Sequence, residues 1–139
     1  MIGKSGRPGE DDPPVRWLVD GMNVIGSRPD GWWRDRDGAV RALVAVLDEF
    51  AEGPDPQVVA VFDGRPVEVQ SRRVDVRFAP RRGRNAADDE IVELVAGDPD
   101  RASLTVVTSD ATLADRVRAL GAEVEGAGTF RRRLDELPE

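Results

Sequence analysis

Three short, largely apolar runs, each closed by an aspartate, constrain this chain more than any other feature. Val15–Val19 ends at Asp20 and Gly21, Val58–Phe62 at Asp63 and Gly64, and Leu104–Val107 at Thr108, Ser109 and Asp110. Runs of this length, rich in β-branched residues and bounded by turn formers, read as buried strands. Between them the apolar period changes to that of a helix. Val40, Leu43, Val44, Leu47 and Phe50 recur at three- and four-residue spacing before Gly53, Pro54 and Pro56. Ala86–Ala96 turns Ile91, Leu94 and Val95 inward, and Leu113, Val117 and Leu120 mark another helix with Gly121 as its C′ residue. Val74–Phe78 alternates, as a more exposed strand would, and Glu123–Glu125 is a short final strand. The segment after Asp20, with Gly26, Pro29, Asp30 and Gly31, reads as a polar loop, and Thr129 as the cap of a last helix reaching Leu137. Strands alternating with helices imply βαβ units and a parallel sheet covered on both faces. The expectation is one three-layer α/β/α domain over residues 15–139, after a flexible tail, residues 1–14, rich in Gly, Pro and charge.

Composition narrows the chemistry. The 139 residues contain no cysteine and no histidine, so thiolate metal sites, cysteine nucleophiles and the commonest neutral-pH base are excluded. No apolar run approaches the roughly 20 residues of a membrane span, and Met1 to Pro14 lacks the apolar core of a secretory signal. A cytoplasmic protein without a membrane partner is expected. Proton or metal chemistry must run on carboxylates.

Those carboxylates gather. Parallel strands share one C-terminal edge, where open α/β sheets bind their ligands at the point where strand order reverses. Asp20, Asp63 and Asp110 all fall at that edge, and Asp88 and Asp89 open the helix that starts near Ala86, where the helix dipole favours negative charge. Clustered carboxylates repel, and a divalent cation relieves the conflict. An oxygen-only set suits Mg²⁺ or Mn²⁺, which can activate a water and orient a phosphodiester. Each residue also has a plainer role: Asp before Gly forms turns, Asp110 can cap the following helix, and Asn23 can anchor the loop after Asp20 as readily as orient a phosphate or a metal-bound water.

The stretches VDGMNVI, VVAVFDG, RNAADDEIVELV and VVTSDATLADRVRALGAEV together resemble the YacP-like branch of the NYN-domain family, within the PIN-like nucleases. The resemblance spans about residues 15 to 137. It implies a mostly parallel sheet of strand order 3-2-1-4-5 with a central acidic pocket, and a metal-dependent endoribonuclease cutting single-stranded RNA. Asp20, Asp88 and Asp110 match the principal metal carboxylates and Asn23 the accompanying polar residue, with Asp63 and Asp89 as outer or second-metal ligands. The alternative is a non-catalytic RNA- or ribosome-binding module on the same fold. An aspartyl-nucleophile phosphohydrolase is disfavoured, because the second Asp such enzymes usually carry two residues on is here Met22.

Net charge is −7, yet the positive charge is arginine throughout except for Lys4. Arg72, Arg73, Arg77, Arg81, Arg82 and Arg84 run into the helix bearing Asp88 and are the expected phosphate contacts. Trp32, in the loop after the first strand beside Trp33, is the expected base-stacking residue. RNA, with the ribosome as a second candidate, is the expected partner of a monomer.

Overall fold

The structure, a computed structural model, describes residues 15–52, 57–79 and 86–138. The expected tail, residues 1–14, and Arg81, Arg82 and Arg84 lie outside the described residues. A five-stranded sheet of order β3-β2-β1-β4-β5 forms the centre. Its strands are β1 (Arg16–Asp20), β2 (Gln57–Phe62), β3 (Val74–Phe78), β4 (Leu104–Val107) and β5 (Glu123–Glu125), and every pairing is parallel. The central strand pairs Leu18 with Val59 on one side and Val106 on the other. All strand ends that carry aspartates therefore meet along one edge.

Alternation along the strands feeds two cores. Trp17, Val19, Val58, Ala60, Phe62 and Val107 pack beneath α1 (Gly21–Ile25), α2 (Arg36–Phe50) and α5 (Ala127–Asp135). Leu18, Val61, Leu104 and Val106 pack beneath α3 (Ala86–Ala96) and α4 (Ala111–Ala119). Trp17 anchors the first layer, its ring 5.5 Å from Phe50 and 5.2 Å from Phe130. Arg133 lies 5.3 Å over the same ring while both its Nε and Nη2 hold Glu125. At the N-terminal edge, Arg16 clamps Asp98 with two bonds of 2.8 Å and also reaches Ser103.

Three local features differ from the sequence reading. The segment after Asp20 is a single helical turn, α1, instead of a loop, and Trp32–Asp35 forms a 3-10 turn ahead of α2. Five residues such as GMNVI are too few to show a helical period. Thr129 lies inside α5, whose N-cap is Gly126. Gly121, at φ 101°, is the left-handed residue expected just past α4.

Candidate active site

Asp20 is the innermost of the strand-end carboxylates, only 6% exposed. The chain turns straight from it into α1, and Gly21 makes that turn possible. A Cβ there would sit 2.3 Å from the buried ring of Phe62. Thr108, at the end of β4 and 1% exposed, donates its hydroxyl to Asp20 Oδ2 at 2.9 Å and accepts from the Asp110 N–H at 3.1 Å. One buried hydroxyl thus ties the ends of the two central strands together. Burial pushes the Asp20 carboxyl up to about 7 from 3.8; the Thr108 bond opposes the rise, and repulsion from Asp88 and Asp63 adds to it.

The other carboxylates surround it. Asp63 follows β2 and is raised by burial, against the pull of Arg36. Arg36 opens α2 and donates Nη2 to the Asp63 carbonyl at 2.7 Å. Asp88, in the first turn of α3, is raised by burial and then by repulsion from Asp110 and Asp63, with Arg116 opposing. Asp110 caps α4, its Oδ1 accepting from the Leu113 N–H at 3.0 Å. Asp89 is held in an ion pair with Arg116 of α4, 3.2 Å long and half exposed, and its charge adds to the rise of Asp88. Asn23 anchors the loops: its Oδ1 accepts from the Ser109 N–H at 2.8 Å, and Ser109 Oγ accepts from the Ala127 N–H that opens α5.

Asp20, Asp63, Asp88 and Asp110 therefore share one field. Among the described residues no three acidic side chains close to metal-ligand spacing. Donor chemistry nevertheless fits a hard cation: Asp110 Oδ2 makes no hydrogen bond among the described residues, and Asp20, whose rise is opposed by Thr108 and by the Asn23 N–H, is bonded to no cationic side chain there. Mg²⁺ retains several waters and needs only one or two direct carboxylates.

The arginine segment is placed differently from its position in the sequence. β3 starts beside the start of β2, Val74 opposite Val58, so Arg72 and Arg73 lie at the N-terminal edge, away from the carboxylates. Five residues of strand, roughly 16 Å, separate them from the acidic edge. Arg72 pairs with Glu52, and Arg77 with Asp75 at 3.0 Å. The backbone N–H groups of Arg72, Arg73 and Val74 converge on Asp48 of α2, which is 7% exposed. Trp32 packs partly against the core, while its neighbour Trp33 is 58% exposed. Sequence reasoning missed Thr108, Arg36, Arg116 and Asp48. Only Thr108, two residues before Asp110 in TSD, carried a local signal.

The profile of the YacP-like NYN domain matches residues 17–139. The chain belongs to the YacP-like NYN domain family. Two crystal structures of Rae1 (YacP) from Bacillus subtilis are similar to it. One is of a tryptophan-to-leucine mutant, with TM-score 0.73, 26% identity, and coverage of 88% of this chain and 76% of that one. The other gives TM-score 0.70 and 26% identity over 87% and 74%. No curated protein matches the chain in sequence. The five-stranded parallel sheet of order 3-2-1-4-5 is the Rae1 (YacP) fold. Membership in this PIN-like nuclease family supports a nuclease-type function on RNA. Among the described residues no helix is long and apolar enough to cross a membrane.

Proposed function

We propose that this protein is a metal-dependent endoribonuclease that hydrolyses phosphodiester bonds of single-stranded RNA at the acidic edge of its sheet. The observation that carries the reading is Asp20: a carboxylate buried at the end of the central strand, facing Asp63 and Asp88, with no cationic side chain bonded to it among the described residues. A carboxylate kept in such surroundings is costly unless a cation joins it. Asp20, Asp88 and Asp110 would hold Mg²⁺ or Mn²⁺, with Asp63 at the margin. When bound, such an ion supplies Lewis-acid stabilisation of phosphate charge and a more acidic water.

The chain's own residues do the rest. Thr108 fixes the Asp20 carboxylate, and Asp110 is held by its cap on α4. Asn23, bonded through Ser109, locks α1 to the loop after β4 and the start of α5, so the edge is preorganised. Asp89 acts as the anchor of Arg116 and not as a ligand. The test is cleavage of a long single-stranded RNA by the wild type and by Asp20→Asn, each with Mn²⁺, Mg²⁺ and EDTA. Metal-dependent cutting by the wild type alone is expected. Cutting that survives in the Asp20→Asn, Asp110→Asn double variant refutes the assignment, and binding without cutting under any metal favours a non-catalytic RNA- or ribosome-binding module.

A further inference from the structure

We propose that single-stranded RNA crosses the acidic edge between Trp33 on one flank and Arg116 on the other, with an unpaired base stacked on Trp33 and a backbone phosphate on Arg116. This rests on the reading of the chain as an RNA-cutting protein. The two residues come from opposite helical layers. Trp33 lies in the 3-10 turn that leads into α2, and the first residue of α2, Arg36, is bonded to the Asp63 carbonyl. The turn is thereby held at the Asp63 side of the carboxylates. The indole is 58% exposed although the domain has a core available to it, and Arg34 lies 5.7 Å over its ring. An exposed indole beside a guanidinium is a surface that accepts any base face.

Arg116 stands on the other side, on α4. It is the arginine whose charge acts on Asp88, and one of its terminal nitrogens, Nη1, holds Asp89. Among the described residues Nη2 and Nε make no hydrogen bond, so two donors of a half-exposed guanidinium are open at the edge of the acidic centre. A strand spanning the two flanks passes over the ends of β1 and β4, where Asp20 and Asp110 lie. A base must be unstacked to lie on Trp33, so the arrangement selects single strands over duplexes.

The experiment measures binding of a short labelled single-stranded RNA in Mg²⁺ over a range of salt, with Asp20→Asn as the non-cutting background. Trp33→Leu is expected to weaken binding about tenfold with the salt slope unchanged, and to abolish RNA-induced quenching of tryptophan fluorescence. Arg116→Met is expected to reduce the slope of log K against log salt by about 0.7, the value for one phosphate on a single strand. Asp89→Asn, which breaks the same ion pair, retains the slope, so a merely structural role for Arg116 is separable. Arg72→Met, at the far edge, is expected to change neither quantity. Background affinity and slope in both Trp33→Leu and Arg116→Met overturn the proposal even where the wild type cuts RNA. RNA bound through these two residues but never cut by the wild type upholds the surface and refutes the nuclease reading instead. A wild type that neither binds nor cuts RNA overturns both.

Discussion

Replacing Asp20 by Asn should stabilise the metal-free protein at alkaline pH while abolishing the proposed RNA cleavage. The folded-state pKa is about 7 against an ordinary 3.8, chiefly because burial disfavours the charge. A group raised in this way contributes stability when protonated. That contribution is whole below about pH 4, is lost as pH rises through about 7, and is gone above it. The interval from 3.8 to about 7 corresponds to about 4 kcal/mol at pH 8. Asparagine carries no charge and keeps an oxygen for the Thr108 hydroxyl, but its amide N–H₂ enters a buried site at a cost of about 1–2 kcal/mol. The net gain is about 2–3 kcal/mol, or roughly 6–12 °C in Tm for a domain of this size. The assay is urea unfolding of both proteins in EDTA between pH 4 and 8. The variant should lead at pH 8 and lose its lead below about pH 5. Adding Mn²⁺ should then raise the Tm of the wild type and leave the variant nearly unchanged. An Asp20→Asn protein less stable than wild type at pH 8 without metal would refute the claim that this carboxylate is held in uncompensated burial.

Thr108, Asp48 and Gly21 each give a further expected outcome. Thr108→Val keeps the shape but removes the hydroxyl that opposes the rise of Asp20; the Asp20 pKa should climb above about 7, seen by carboxyl NMR titration as a shift to higher pH in the metal-free protein. Asp48→Asn should cost about 2–3 kcal/mol at pH 7, because one of three backbone N–H donors then faces an amide donor. Burial alone would raise Asp48, but the N–H groups of Arg73, Arg72 and Val74 outweigh it and leave its pKa lowered, so in pH-dependent urea unfolding the deficit should shrink as pH falls below about 3.8. Gly21→Ala places a methyl 2.3 Å from Phe62, whose ring is stacked on Phe78, and should lower stability by about 1–3 kcal/mol in the same unfolding assay.

The sheet was legible because its strands are buried on both faces and so carry continuous apolar runs ending in aspartates. Parallel pairing then leaves one place for those aspartates to meet. What the sequence did not convey was direction and depth. Arg72 and Arg73 precede the helix of Asp88 closely in the chain, yet β3 begins at the opposite edge, and a linear reading does not show which end of a strand a flanking residue occupies. Arg116 and Asp89 are 27 residues apart, and only the packing of α4 beside α3 joins them. Of two adjacent tryptophans, the 3-10 turn sends Trp32 against the core and Trp33 outward, a choice that depends on a rotation no composition encodes. Asp48 looks like any helix-surface acid until the start of β3 is placed beside it.

The acidic balance of the chain bears on how metal and RNA would act together. Arg16, Arg28, Arg65, Arg72, Arg77 and Arg133 are each paired with a carboxylate, so much of the positive charge is neutralised within the fold. Asp20, Asp63 and Asp88 make no ion pair among the described residues, and the net charge of −7 falls partly on the edge where, under the proposed function, a polyanion would be cut. Bare, that edge repels phosphate at its centre, and among the described residues Arg116 at its flank opposes the repulsion. A divalent cation inverts the local sign. Under the proposed chemistry, metal and scissile phosphate are then mutually dependent ligands: each lowers the electrostatic cost of the other, and linkage requires the coupling to be equal in both directions. Base stacking at Trp33 involves no such charge, so it can hold a strand at the edge before the metal-dependent step engages it.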